Sequence, residues 1–131
     1  MISQLDHLVL TTYNIKECID FYTRILGMNH IHFGSNRTAL TFGSQKINIH
    51  EYGSEFEPKA HLPVPGSLDL CFIVKMPLTE MVSYLDEHGV SVLEGPVKRT
   101  GATGTIESIY IRDPDLNLIE LSVYQKKPHN P

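Results

Sequence analysis

The chain has 131 residues, a length that suits one domain with a core of its own. Hydrophobic residues make up 41% and charged residues 20%, the balance of a soluble globular protein, and a net charge of -4 argues against nucleic acid or an anionic membrane surface as the main partner. Two cysteines, Cys18 and Cys71, are too few for a disulfide framework and point to a reducing cytoplasm, and no run approaches the ~18 apolar residues of a membrane span.

Residues 1–6 lack the basic and apolar regions of a secretory leader, which again predicts a cytoplasmic protein. Residues 5–11 read as a buried strand. Asn14, with Glu17 three residues on, predicts a helix start, and Ile15, Ile19, Tyr22 and Leu26 follow at helical spacing until Gly27 supplies a left-handed stop. Three short strands are expected next, at 28–33, 37–42 and 46–52, with turns at 34–36 and 43–45. Residues 53–66 carry Pro58, Pro63 and Pro65 and read as a linker. A strand at 67–75 follows, then a helix whose first turn takes Pro77 and whose stripe is Leu78, Met81, Val82 and Leu85, ending at Gly89. A strand at 90–93, a glycine-rich loop at 95–105 and a hairpin of 106–112 with 117–124 complete the domain at about residue 125; 126–131 is a polar tail.

The chain repeats itself. An offset of 62 takes His7 to Asp69, Ile19 to Met81, Tyr22 to Tyr84 and Gly27 to Gly89. Each half, about 4–52 and 67–124, reads β-α-β-β-β. Neither buries a sheet face alone, so the predicted fold is α+β, two paired modules forming one curved, cupped mixed sheet with helices outside. The second half is eight residues longer between its glycine stop and its last strand, which predicts a longer loop near 95–105.

Each half also opens and closes on a strand with a metal-ligating side chain: His7 and His50 in the first, Asp69 and Glu120 in the second. Side chains alternate along a strand, so the four converge if these strands line one concave surface. Two imidazoles and two carboxylates form a nitrogen–oxygen shell suited to Zn, Fe(II), Ni, Co or Mn, and the carboxylates cancel the ion's charge. Taken singly, each reads more readily as a solvated or hydrogen-bonded strand residue; the argument for a site comes from their equivalent positions in the repeat. Arg37 reads either as a solvated strand arginine or as the counterion of an anionic substrate. Lys98 and Arg99, beside the glycines of 101–104, read either as a mobile surface or as a carboxylate- or phosphate-binding pair.

Leu5-Asp6-His7-Leu8-Val9-Leu10, Phe21-Tyr22 with Leu26-Gly27-Met28, Glu94-Gly95-Pro96 and Asp113-Pro114-Asp115-Leu116-Asn117-Leu118-Ile119-Glu120-Leu121 resemble the vicinal oxygen chelate superfamily, which includes glyoxalase I, extradiol dioxygenases, fosfomycin-modifying enzymes and bleomycin-resistance proteins. The resemblance spans about residues 4–124. More narrowly, residues 42–50, 55–60 and 99–102 resemble the glyoxalase domain-containing protein 5 group and its bacterial virulence-protein relatives. The resemblance implies metal ligands on the first and last strand of each module. His7 and Glu120 match the family's usual His and Glu; His50 falls where glyoxalase I carries Glu, and Asp69 where most members carry His, two departures that set glyoxalase I activity in doubt.

The resemblance implies a metal-dependent lyase or isomerase acting on a small oxygenated molecule, with Glu120 as the base, and a homodimer whose sites draw on one chain or on both. The rival readings are a non-enzymatic small-molecule binding protein of the bleomycin-resistance type and a metal-dependent dioxygenase or thiol transferase.

Overall fold

The computed structural model describes residues 1–126; of the expected tail, residues 127–131 lie outside the described residues. Eight strands, two α-helices and one π-helical turn are assigned among them. The first four strands are β1 (His7–Thr12), β2 (Asn29–Phe33), β3 (Arg37–Phe42) and β4 (Gln45–Glu51), and the second four are β5 (Asp69–Ile73), β6 (Glu94–Thr100), β7 (Thr105–Arg112) and β8 (Leu118–Tyr124). They form two four-stranded mixed sheets, ordered β1-β4-β3-β2 and β5-β8-β7-β6. In both, the first strand runs parallel to the last and the remaining pairings are antiparallel. The α+β class and the paired β-α-β-β-β modules read from the sequence are therefore those of the protein.

Two compact units result: Met1–Leu68 with Asp113–Asn117, and Asp69–Arg112 with the chain from Leu118. In the first unit, α1 (Ile15–Asp20) starts where Asn14 Oδ1 accepts the Glu17 N–H at 3.1 Å and continues as a π turn over Phe21–Ile25. The extra residue in that turn lets Phe21, Tyr22 and Ile25 all be buried. Leu10, Thr12, Leu40, Ile47 and Ile49 share the sheet face toward α1 and are buried. Gly27 ends the helical segment at φ +74°, a conformation that penalises any Cβ.

In the second unit, α2 (Leu78–Glu87) begins directly after Pro77 and buries Leu78, Met81 and Leu85 on the side of β7, where Ile109, Ile111, Ile119 and Leu121 complete the core. One expectation fails here. The strand expected at 90–93 is not formed, and most of the loop expected at 95–105 is strand β6. Pro96 is tolerated because β6 is an edge strand and because its register with β7 shifts between Glu94 and Val97. Gly95 sits at that bulge with φ +110°, and a Cβ there would overlap the Ser108 carbonyl oxygen.

Candidate functional site

Strand pairing assigns the side chains to faces, because residues directly opposite each other point to the same side. On the first sheet, the face away from α1 carries His7, Val9 and Thr11 from β1, Lys46, Asn48 and His50 from β4, and Arg37 and Ala39 from β3. His7 pairs with Lys46, whereas His50 pairs with Thr11. The two imidazoles therefore stand four steps apart, about 13 Å along the strands. The structure does not bring them together.

The second sheet shows which position on β4 is the true counterpart of Glu120. Glu120 pairs with Cys71, and Cys71 is Val9 shifted by 62. Val9 pairs with Asn48. By register, then, Asn48 corresponds to Glu120, and His50 to Ser122. The equivalence of His50 and Glu120 suggested by spacing is off by two residues.

His7 is exposed at the start of β1, and its Nδ1 lies 2.9 Å from Asp6 Oδ2. A carboxylate on Nδ1 fixes the tautomer and leaves Nε2 as the nitrogen that can face a metal. Asp69 and Glu120 share one face of the second sheet and flank Cys71. Glu120 is half-buried, and its Oε2 accepts the Ser108 hydroxyl at 2.6 Å. Ser108 and Ser122 lie 2.7 Å apart and Ser122 reaches Cys71 Sγ at 3.3 Å, so a short polar chain runs beneath the carboxylate. One Glu120 oxygen is thus held and the other is left for chemistry. Among the described residues, no three His, Cys, Asp or Glu side chains gather as a ready metal-binding group. The donors within each unit are nonetheless of a kind that borderline divalent ions accept: an oriented imidazole in the first, and two carboxylates on one sheet face in the second.

The remaining expected residues separate. Arg99 shares the Glu120 face, donating to Tyr110 Oη at 3.0 Å and pairing with Glu94 at 3.3 Å. Lys98 pairs with Glu107 and points to the opposite face. Arg37 lies with its guanidinium carbon 5.1 Å from the Phe33 ring centroid and 4.7 Å from that of Phe56, while Lys46 Nζ lies 4.2 Å from the Phe33 centroid.

Sequence reasoning passed over Asn48, Ser108, Phe33 and Phe56. The period-two alternation of β4 was the available signal for Asn48; nothing in the sequence marks the two rings. Asn48 is 6% exposed and His50 3%, yet Asn48 Oδ1 and both His50 ring nitrogens have no hydrogen-bond partner. Each such group costs about 1–3 kcal/mol when left unmet. His50 packs edge-on against Phe56, with centroids 5.6 Å apart. Burial above all, and then the Arg37 charge, hold its imidazole below the ordinary histidine range, against an opposing pull from Glu55.

The sequence matches the family described as Glyoxalase/Bleomycin resistance protein/Dioxygenase superfamily over residues 4–121. The chain belongs to this superfamily. It is 60% identical over 124 residues to the glyoxalase domain-containing protein RDO1 of Mycosarcoma maydis, covering 95% of this chain and 70% of that protein. It is 56% identical over 124 residues to virulence protein STM3117 of Salmonella typhimurium, covering 95% and 86%. The crystal structure of STM3117 superposes with a TM-score of 0.93 over 95% of this chain and 99% of that one. At 23% identity and a TM-score of 0.66, the fosfomycin resistance protein FosX from Listeria monocytogenes, covering 95% of this chain and 93% of that one, shares the fold. No helix among the described residues is long and apolar enough to cross a membrane.

Proposed function

We propose that this chain is a metal-dependent lyase or isomerase of the glyoxalase type, acting on a small oxygenated molecule. The observation that carries the reading is the Glu120 carboxylate, set in a mainly apolar strand and held through Oε2 by the Ser108 hydroxyl at 2.6 Å, with Ser122 reaching the same oxygen at 3.4 Å. The ligands we propose are His7, Asp69 and Glu120, and FosX, whose crystal structure is complexed with Mn(II), gives a fold-level precedent for a divalent ion. His50, four steps from His7, is left out of that set. A divalent ion bound by these residues supplies Lewis acidity to a substrate oxygen.

The protein's own contribution is proton transfer. Ser108 fixes Glu120 Oε2, so Oε1 takes the proton from the hydroxyl-bearing carbon alpha to the substrate carbonyl and returns it to the carbonyl carbon, while the proton of that hydroxyl passes to the former carbonyl oxygen. Asp6 keeps the His7 ring oriented through Nδ1. We further propose a cytoplasmic homodimer: Cys18 and Cys71 are free thiols, and the polar sheet faces leave Val9 and Ile73 exposed, apolar surface that a second chain would cover.

The test is elemental analysis of untagged protein beside His7→Ala and Glu120→Ala. About one transition-metal ion per chain, lost in both variants, is expected. A protein that takes up none of Zn, Ni, Mn, Co or Fe(II) would refute the metal mechanism and favour a binding protein.

A further inference from the structure

One cluster in the first unit is not used by the proposed chemistry. His50 sits on the polar face of β4, almost wholly buried, with neither ring nitrogen hydrogen-bonded, and Asn48, two residues back on the same face, has its Oδ1 in the same state. Arg37 approaches from β3: Ala39 pairs with Asn48 and Thr38 with Ile49, which puts Arg37 beside His50. Buried polar groups of a folded protein are nearly always paired, so three orphaned atoms on one patch ask for a partner that the chain itself does not provide.

The surroundings specify that partner. The Phe33 and Phe56 rings lie against the Arg37 guanidinium, and among the described residues no carboxylate lies within ion-pair distance of it. A guanidinium stacked on rings keeps its N–H edge available, and that edge matches a carboxylate. A neutral imidazole beside it gives one further donor. Lys46, stacked on Phe33, adds positive charge to the same patch. Glu55, the acid whose charge reaches His50, has Oε1 occupied by the Gly53 N–H at 3.0 Å. Asn48 Oδ1 accepts, and so faces a ligand donor.

We infer that Arg37, Asn48 and His50 form a subsite for the carboxylate end of a small molecule that carries a hydroxyl next to that carboxylate. Arg37 and His50 hold the carboxylate and Asn48 accepts from the hydroxyl. The inference rests on the proposed function only in taking the polar face as the one that meets substrate, and it requires no metal.

The experiment is NMR of the full chain labelled with nitrogen-15 in histidine, titrated with glycolate and with malate, and separately with acetate and with inorganic phosphate. The His50→Gln variant assigns the ring signals. Saturable shifts of the His50 ring nitrogens by glycolate or malate, stronger than by acetate, are expected. Arg37→Gln should weaken that binding about tenfold or more, as fits the loss of a charge-assisted bond, while leaving metal content unchanged. Arg37 is only half-buried, so this variant tests the idea even if His50→Gln fails to fold. Absence of any shift, equal binding by Arg37→Gln, or a response to phosphate alone overturns the inference. Loss of metal in His50→Gln with its fold intact also overturns it, and leaves the metal-dependent reading standing. Carboxylate binding by a protein that holds no metal would do the reverse.

Discussion

Tyr22 donates its hydroxyl hydrogen to Asp113 Oδ2 at 2.6 Å, joining two residues 91 positions apart in the chain. Both are buried, and Asp113 also accepts from the backbone N–H groups of Asp115 and Asn117 and from Asn117 Nδ2. A carboxylate this deep is tolerated only because its oxygens are met. Tyr22→Phe removes one of the four bonds and leaves the ring in place. Its expected cost is about 1.5–3 kcal/mol, the range for a bond to a charged group. Urea unfolding should show the midpoint falling with an unchanged slope; a midpoint at the wild-type value would mean the bond contributes nothing net.

The two thiols should behave differently. Cys18 is fully buried, and burial, with the charges of Asp113 and Asp115, pushes its pKa up to about 12. Cys71 is exposed on the second sheet, although burial of its sulfur and the neighbouring Asp69 and Glu120 raise it as well. Thiolates react and thiols do not. A thiol-titrating disulfide reagent should therefore count one cysteine in the native protein, slowly, and two in denaturant. Cys71→Ser should remove the native signal.

Acid should weaken the first unit through His50. Its folded pKa lies below the unfolded value of about 6.5, so the unfolded chain binds the proton more readily. The stability this contributes is present above the unfolded value and is lost as pH falls through the folded one. Arg37→Gln removes one of the charges that depress His50 and should shift its ring titration upward and narrow the acid-sensitive window. Histidine NMR titrated downward from neutral pH reads the shift.

Ser108→Ala tests how Glu120 is held. The serine does not itself belong to the proposed ligand set, and its hydroxyl contacts the carboxylate directly. Loss of such a supporting bond commonly lowers metal affinity about 10–100-fold. Competition against a chromophoric chelator measures this. Affinity within twofold of wild type would show that the bond does not orient the ligand.

Much of the architecture was legible because it follows from local rules. Asn14 as a cap, Gly27 and Gly89 as left-handed stops and the strand at Arg37–Phe42 are set by a few neighbouring residues. Strand β6 was not legible, because Gly95 and Pro96 read as loop and only pairing with β7 across a bulge makes them strand. The candidate site divides along the same line. That His7, Asn48 and Glu120 face away from the helices follows from alternation. That Val9 rather than Leu8 or Leu10 stands opposite Asn48 follows from parallel pairing, which carries no turn to set it. The packing of Phe56 against Arg37 and, edge-on, against His50 comes from a proline-rich connector whose path the sequence leaves open.

The Asp113–Asn117 turn has a consequence for how this protein is made. The turn links two strands of the second sheet, yet it belongs to the first compact unit and supplies the partner of Tyr22. It also holds Thr12, whose hydroxyl meets Asp115 Oδ2, and the Leu68 amide, which meets Asn117 Oδ1. A ribosome that has released the first 68 residues has released every strand of the first sheet but not the side chains that complete its interior. The two halves repeat one plan, but the first waits for the second to be almost fully translated. Splitting the gene at the repeat boundary should yield a first fragment that matures only when the other is supplied.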